Sequence, residues 1–225
     1  RESLVKTGHV DVMISVGNNF FYTKSFPCSL WFFDKGKSNA IKDKVLFIDA
    51  RNYYTVVDRT LNEWSEWQLK NMNAIVWLYR GETDKYTELL NEYKSVLGSD
   101  KPFKEQINEL SAKVKSLRKE AKEAVDSAER REKKKIQSKY DEKIAEITEY
   151  LTIAKEANWL YEKFGEGKCQ DILGLCKVAY TTNEAKGADK DGISIEEKGW
   201  SLTPGAYVGV APIEDDGVNF EERIK

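Results

Sequence analysis

Three consecutive aromatic residues in a short polar segment are the strongest sign of chemistry in this sequence. The segment covers residues 18–27, contains Phe20 and Phe21, and lies between two apolar stretches. Aromatic rings on a loop can stack on a nucleobase that has left its duplex. They can also close the edge of a hydrophobic core, and the residues alone favour this second interpretation. Lys24, beside them, is a candidate contact to a phosphate group.

A basic region in the second half of the chain is the other candidate. Residues 113–143 contain 12 Lys and Arg against 7 Asp and Glu, and the basic residues are most concentrated over residues 129–135. Such a region could lie against the phosphates of DNA. A solvated charged helix face is the alternative, which the residues alone favour. The candidate phosphate contacts are Arg130, Arg131, Lys133 and Lys134.

The remaining reactive residues indicate little chemistry. Asp49 and Arg51 stand at the end of an apolar stretch, where the sites of α/β sheets collect, but one such pair is usually surface structure. One histidine and three cysteines leave little room for a zinc site or a histidine-based triad. Cys169 and Cys176 lack zinc-ligand spacing and are predicted to be small core residues. We therefore predict no metal site and no catalytic residue within these 225 residues.

Composition excludes several classes of protein. With 36 Lys and Arg against 38 Asp and Glu the formal net charge is −2, which excludes a uniformly basic nucleic-acid coat. Aromatic residues make up 12% of the chain and include six Trp, enough to offset the cost of ordering it. No apolar run approaches the ~20 residues of a membrane span, and no signal peptide is recognisable. We expect a cytoplasmic protein with reduced thiols and no membrane partner.

The elements that must position the aromatic segment form a β-rich region, residues 1–61. Val10–Val16, Ser29–Phe33 and Val45–Ala50 are apolar stretches bounded by turn residues. Their nearly continuous apolar character predicts strands covered on both faces, as in the sheet of an α/β domain. Three strands with short links cannot form such a sheet alone, and the chain begins at Arg1 rather than Met. We expect a piece of a longer protein, with further elements upstream.

The hydrophobic period becomes helical over residues 62–164. Two helices of ordinary length are predicted first, ending at Gly81 and at Leu97. Phe103–Phe164 then carries two heptad seams. Residues 129–135, which include no apolar residue, separate them. We favour an antiparallel helical hairpin with two arms of about 25 residues, each about 40 Å long. A single continuous helix is the alternative, since no Gly or Pro marks a turn. Residues 165–225 are predicted to be a loop-rich tail.

Several of these segments, in the same order, resemble the C-terminal part of the modification (methyltransferase) subunit of type I restriction–modification systems. They cover most of residues 4–98 and 165–223. Several ordered matches are far more specific than any single one, whereas the seams of Phe103–Phe164 are generic. The matching segments are His9–Thr23, Phe26–Lys37, Val45–Arg51, Trp77–Glu82, Gly174–Ala179 and Trp200–Val210.

The resemblance implies the terminal strands of a Rossmann-like methyltransferase sheet, followed by a helical region that contains a coiled coil. It implies transfer of a methyl group from S-adenosylmethionine to the amino group of adenine in double-stranded DNA. The implied partners are a specificity subunit, a second modification subunit and a restriction subunit. In the family, the cofactor-binding glycine motif and the catalytic Asn-Pro-Pro-Phe/Tyr both lie upstream. We therefore expect the S-adenosylmethionine site upstream, and this fragment alone to be inactive.

The resemblance also gives roles to particular residues. Phe20 matches the aromatic residue that stacks on the flipped adenine in related enzymes, and Phe21 is the alternative. Ala206 departs from the family, whose tail usually reads Pro-Gly-Arg-Tyr. The helices resemble those that pack against the specificity subunit. The competing interpretation is a non-enzymatic interaction or scaffold protein that acts through its coiled coil, with residues 1–98 as a self-contained domain.

Overall fold

A computed structural model describes residues 1–21 and 25–210, and the chain divides into two compact units. The first unit consists of Arg1–Ser65 together with the chain from Gln170, and the second is Glu66–Cys169. The first contains α1 (Glu2–Val5), β1 (Val10–Val16), β2 (Cys28–Phe33), β3 (Lys44–Ala50), β4 (Thr55–Val56) and β5 (Asn62–Glu63). The second contains α2 (Glu66–Arg80), α3 (Thr83–Leu97), α4 (Phe103–Ser127) and α5 (Lys133–Phe164). The first unit is completed by β6 (Cys176–Tyr180), α6 (Asn183–Lys186) and α7 (Gly205–Val208).

The main sheet is mixed, with the strand order β2-β1-β3-β6. β2 runs antiparallel to β1 and returns the chain to the start of β1, so that β3 can pair with β1 in parallel. β6 lies antiparallel to β3 on the other side. The mixed sheet and the many helices confirm the predicted α/β class. β6 lies in the segment for which the sequence predicts a loop-rich tail, because its five residues carry too little periodic signal.

The sheet core lies around β1 and β3. Every residue of β1 is buried, and so is nearly every residue of β3, which agrees with their apolar, β-branched sequences. On one face Met13 and Phe47 are completely buried, and the ring of Tyr207 stacks on that of Phe47 with 3.9 Å between centroids. The other members of this core cluster are Val5, Val10, Val45, Ala179, Ile195, Leu202 and Val208.

β2 departs from the prediction that both faces of the strands are covered. Trp31, Phe32 and Phe33 are 44%, 46% and 50% exposed, although their sequence is as apolar as that of β3. The prediction was wrong for this strand because β2 is at the edge of the sheet: within the described residues only β1 pairs with it. Apolar composition reports a tendency to form a strand, and the strand order then decides which strands are covered.

In the second unit α2, α3 and α5 pack around a core with a polar centre. Tyr86 and Tyr93 of α3 are completely buried. The Tyr93 hydroxyl donates to Asn71 Oδ1 at 2.9 Å, and Asn71 Nδ2 donates to the Glu156 backbone oxygen at 3.1 Å. Gly98 ends α3 in the left-handed conformation, with φ 62°, as glycine allows at helix ends.

α4 and α5 form an antiparallel hairpin, which confirms the hairpin over a single continuous helix. The rings of Phe103 and Tyr161 lie 5.9 Å apart at one end, while Ala121 and Ile144 line a shared groove near the other. α4 has the predicted 25 residues but α5 has 32. The turn is therefore short, and the basic run extends from it into the first turn of α5.

No helix of the described residues is long and apolar enough to cross a membrane.

Candidate functional site

Two loops meet at the carboxyl ends of the parallel strands β1 and β3. The first begins at Gly17 and contains the aromatic segment, and the second runs from Arg51 to Trp64 and includes the β4–β5 hairpin. The two loops approach so closely that a Cβ on Gly17 would lie 2.6 Å from the Arg51 carbonyl oxygen. Carboxyl ends of parallel strands are where α/β sheets place their ligands. We call these two loops the β1–β3 edge.

Phe20 is packed inside the β1–β3 edge. Its ring centroid lies 4.8 Å from that of Trp64 and 5.8 Å from that of Tyr54, the latter in an edge-to-face arrangement. The Trp64 indole Nε1 donates to the Tyr53 carbonyl oxygen at 2.8 Å. Trp64 is thus a packing anchor for this part of the loop. In this arrangement Phe20 is partly buried and occupied by protein contacts.

Phe21, the alternative to Phe20, has the opposite environment. Its side chain is 50% exposed, although it follows Phe20 directly. The geometry therefore brings both rings to the β1–β3 edge and leaves the second one accessible. Lys24, the predicted phosphate contact of the same segment, lies outside the described residues.

The β4–β5 hairpin carries a local hydrogen-bonded turn. Asp58 accepts from the Thr60 backbone nitrogen at 2.6 Å and from the Thr60 hydroxyl at 2.9 Å. These hydrogen bonds favour the ionised carboxylate and lower the pKa of Asp58. The turn presents Val56 and Val57, which are 64% and 50% exposed. The hairpin is therefore a defined projection beside the aromatic loop.

Asp49 and Arg51 form an ion pair. The Arg51 Nε donates to Asp49 Oδ1 at 2.8 Å and its Nη2 to Oδ2 at 2.5 Å. The hydrogen bonds to Asp49 and its charge raise the pKa of Arg51. The Asp49 side chain is only 9% exposed and that of Arg51 53%, so the carboxylate is largely covered while the guanidinium remains accessible. The pair stabilises the end of β3.

The four basic residues of the second candidate come together at the tip of the α4–α5 hairpin. Arg130 and Arg131 lie in the turn, and Lys133 and Lys134 begin α5. All are exposed except Lys133, which is partly buried. The first turn of α5 contains no acidic residue, so the positive end of the helix dipole adds to these side-chain charges. The tip is a strongly cationic surface.

The described residues do not form a cofactor cradle. β1 continues from Gly17 into an irregular loop and then antiparallel β2, and β3 continues into the β4–β5 hairpin. Neither parallel strand leads through a glycine-rich turn into a helix, the arrangement that binds a nucleoside cofactor in such sheets. Among the same residues no group of three His, Cys, Asp or Glu could hold a metal ion.

Two further sequence expectations concern single residues. Cys176 is a buried core residue as predicted, but Cys169, in the segment after α5, is exposed. Ala206 lies exposed in α7, next to the buried Tyr207. The Tyr207 hydroxyl donates to the Ser201 carbonyl oxygen. This part of the tail is thus fixed by Tyr207, and the position where the family usually has arginine faces solvent.

Residues 1–102 match the family of N-6 DNA methylases. The matched region includes β1, β2, β3 and the β1–β3 edge. This match confirms the resemblance to a methyltransferase subunit that the sequence predicted, over the part of the chain that carries the aromatic loop.

Among curated proteins, the chain is 35% identical over 91 residues to the "Type I restriction enzyme MjaIX methylase subunit" of Methanocaldococcus jannaschii. The alignment covers 40% of this chain and 16% of that relative. A crystal structure of the type I restriction-modification methyltransferase subunit from Streptococcus thermophilus is similar at 21% identity, over 33% of this chain and 15% of that one, with a TM-score of 0.30. The family match and the curated relative do not favour the interaction-protein alternative.

Sequence reasoning missed the residues that surround Phe20. Tyr54, Asn62 and Trp64 are distant from it along the chain, and the signal that could have indicated them is weak. Trp64 stands just before a predicted helix, where an aromatic residue usually packs on whatever is nearest. Only the pairing of β1 with β3 brings the two loops together.

Proposed function

We propose that this chain is the C-terminal part of the modification subunit of a type I restriction–modification system, an adenine-specific DNA methyltransferase. The observation that carries the proposal is the match of residues 1–102 to N-6 DNA methylases. Enzymes of this kind use S-adenosylmethionine as the methyl donor. Because the described residues form no cofactor cradle, we assign the S-adenosylmethionine site and the catalytic residues to a part of the enzyme outside this chain. The same function would place the protein in the cytoplasm with the DNA.

Within that enzyme, the β1–β3 edge would form part of the pocket for the target base. A base extruded from a duplex is held by stacking on aromatic side chains. Phe20 and Phe21 both lie at this edge, and Phe21 is 50% exposed, so its ring is accessible. We propose that Phe21 is the ring that meets adenine and that Phe20 supports it. Lys24 remains a proposed phosphate contact.

The tip of the α4–α5 hairpin would contact DNA phosphates. Four basic side chains and the amino end of a long helix lie together there, and each phosphate that they neutralise releases counterions. Such contacts position an enzyme on DNA without reading its sequence. Arg130, Arg131, Lys133 and Lys134 are the proposed contacts.

The helical unit would serve assembly with the specificity subunit, a second modification subunit and the restriction subunit. Leu69 of α2 and Val96 of α3 are 45% and 40% exposed, and Tyr150 of α5 is 38% exposed. Val96 and Tyr150 line one groove together with Leu110 of α4. Apolar side chains on the surface of a helical unit suit packing against helices of a partner. A coiled coil of α4 and α5 with partner helices is part of this proposal.

The proposal is tested with the complete modification subunit, produced together with its specificity subunit. Unmodified DNA is incubated with S-adenosylmethionine labelled with tritium in the methyl group, and the nucleosides of the digested product are analysed by mass spectrometry. We expect N6-methyladenine from the assembly and none from the 225-residue chain. The absence of methyladenine from the complete assembly on genomic DNA of varied sequence would refute the proposal.

A further inference from the structure

The β4–β5 hairpin holds the aromatic loop in place through hydrogen bonds. The Asn62 backbone nitrogen donates to the Asn19 carbonyl oxygen at 2.8 Å, and Asn62 Nδ2 donates to the Asn18 carbonyl oxygen at 2.9 Å. Asn62 is 7% exposed, so these bonds are shielded from competing water. One buried residue, through its backbone nitrogen and its side-chain amide, therefore fixes two successive peptide groups immediately before Phe20.

The backbone of the loop is constrained at the same place. Asn19 adopts the left-handed conformation with φ 62°, which non-glycine residues rarely adopt and which surrounding contacts must maintain. Gly17 is in contact with the second loop, since a Cβ there would collide with the Arg51 carbonyl oxygen. The start of the first loop is therefore packed tightly against the second.

The aromatic contacts fix the direction of the rings. Phe20 lies against Tyr54 and Trp64, which flank the β4–β5 hairpin on its two sides. Phe21 follows this anchored ring directly and is 50% exposed. A base-stacking ring is useful only when it is ordered before the base arrives.

From these contacts we propose that the β4–β5 hairpin is the positioning element of the target-base loop. Asn62 and Trp64 act through Phe20 to present Phe21, and they do not touch the base themselves. The inference rests on the proposed methyltransferase function and adds residues to it. It also separates the roles of the two phenylalanines, with Phe20 as the anchor and Phe21 as the contact.

The test uses the complete methyltransferase with its specificity subunit and measures kcat and the KM for unmodified DNA. We expect Phe21→Ala to lower kcat about tenfold or more, the loss typical of a stacking ring. Trp64→Leu and Asn62→Ala should each lower kcat about fivefold with little change in KM, because phosphate contacts are intact. Trp64→Phe keeps an aromatic ring and should restore kcat to within about twofold. Val57→Ala, on the same hairpin and away from Phe20, is the matched control.

A double mutant separates positioning from general stability. If Trp64 acts through Phe21, then Trp64→Leu should cause no further loss in an enzyme that already carries Phe21→Ala. Equal losses in both backgrounds, or normal kcat in Trp64→Leu and Asn62→Ala, would overturn the inference while the function stands. A lowered kcat in Phe20→Ala together with a normal kcat in Phe21→Ala would overturn it as well. If the unmutated assembly methylates no DNA, the proposed function fails first, and the inference fails with it.

Discussion

Charge reversal at the start of α5 separates the stability of the α4–α5 hairpin from its proposed contact with DNA. A helix carries a partial positive charge at its amino end and a partial negative charge at its carboxyl end. The first turn of α5 nevertheless has no acidic residue and begins with lysines, and the last turn of α4 has no basic residue. The lysines at the start of α5 are therefore unfavourable for its dipole, and the end of α4 lacks a basic residue that would favour it.

The variant is Lys133→Glu combined with Lys134→Glu. Lysine and glutamate have similar helix propensities, so the intrinsic cost is small. Two repulsive interactions with the helix dipole become attractive, and because the side chains are largely exposed the gain is about 1 kcal/mol in total. For a chain of this size that raises the Tm by about 2–4 °C. The affinity for DNA should fall, because two phosphate contacts are lost and two repulsions with phosphates are added.

The assays measure the two effects separately. Thermal unfolding of the 225-residue chain is followed by circular dichroism at 222 nm. Affinity of the complete assembly for a labelled duplex is measured across a series of salt concentrations, and the slope of log K against log salt should fall by about 2, since each contact contributes about 0.9. The matched control is Lys104→Glu with Lys155→Glu, which makes the same change in net charge. Lys155 lies about 30 Å along α5 from Lys133.

The control variant should retain the salt dependence of the unmutated assembly. An unchanged slope in the tip variant would refute the phosphate contact. An equal fall in the control would show that only overall charge matters. A lower Tm in the tip variant would refute the argument from the helix dipole.

Three further outcomes follow from the packing. Asn71→Ala should lower the free energy of unfolding by about 2–3 kcal/mol, because it leaves the buried Tyr93 hydroxyl without its acceptor; an unchanged guanidinium midpoint would contradict this. Burial raises the pKa of Tyr86, Tyr93 and Tyr207. The folded chain therefore holds these protons longer than the unfolded chain, and stability should be complete below about pH 10 and fall above it. Absorbance at 295 nm should show these three of the eleven tyrosines ionising only with unfolding. Gly17→Ala should cost about 1–3 kcal/mol, since the new methyl group meets a backbone oxygen; unchanged tryptophan fluorescence and stability would refute the close approach.

The sequence predicted the interior of the sheet well and its boundary poorly. Val10–Val16 and the stretch at β3 are nearly continuous apolar runs, and both are buried along almost their whole length. β2 is also largely apolar but lies at the edge, because strand order depends on long-range pairing that no local pattern encodes. β6 pairs with β3, although more than 120 residues separate the two strands in the sequence. Five residues in a polar tail are too short a pattern to predict this pairing.

The helical region was more predictable because its signal is local. Heptad spacing over Phe103–Phe164 indicated two seams, and a polar run between them was enough to predict a turn without Gly or Pro. The chain reverses there, so that α4 and α5 pack against each other. The start of α5 at Lys133 was not predicted, since charged residues are compatible with a helix and with a turn.

The candidate site could be predicted in part. The aromatic segment was visible as Phe20 and Phe21 between two strands, but its loop is irregular and carries no period that tells which ring faces inward. That distinction comes from Tyr54, Asn62 and Trp64 in the second loop. Asn62 is 44 residues away from Asn18, the residue that its side chain holds. Contacts between residues so far apart in the sequence depend on the topology of the fold. The spacing of residues along the chain does not predict them.

The exposed strand β2 has a practical consequence for anyone who produces this chain alone. Its sequence Cys-Ser-Leu-Trp-Phe-Phe combines high β-propensity with no charge, and within the described residues its outer edge has no neighbouring strand. Two such edges can join through backbone hydrogen bonds and bury their rings against each other, which is how fibrillar aggregates begin. Turbidity of the isolated chain should rise with concentration, and a lysine in place of Phe32 should keep it in solution.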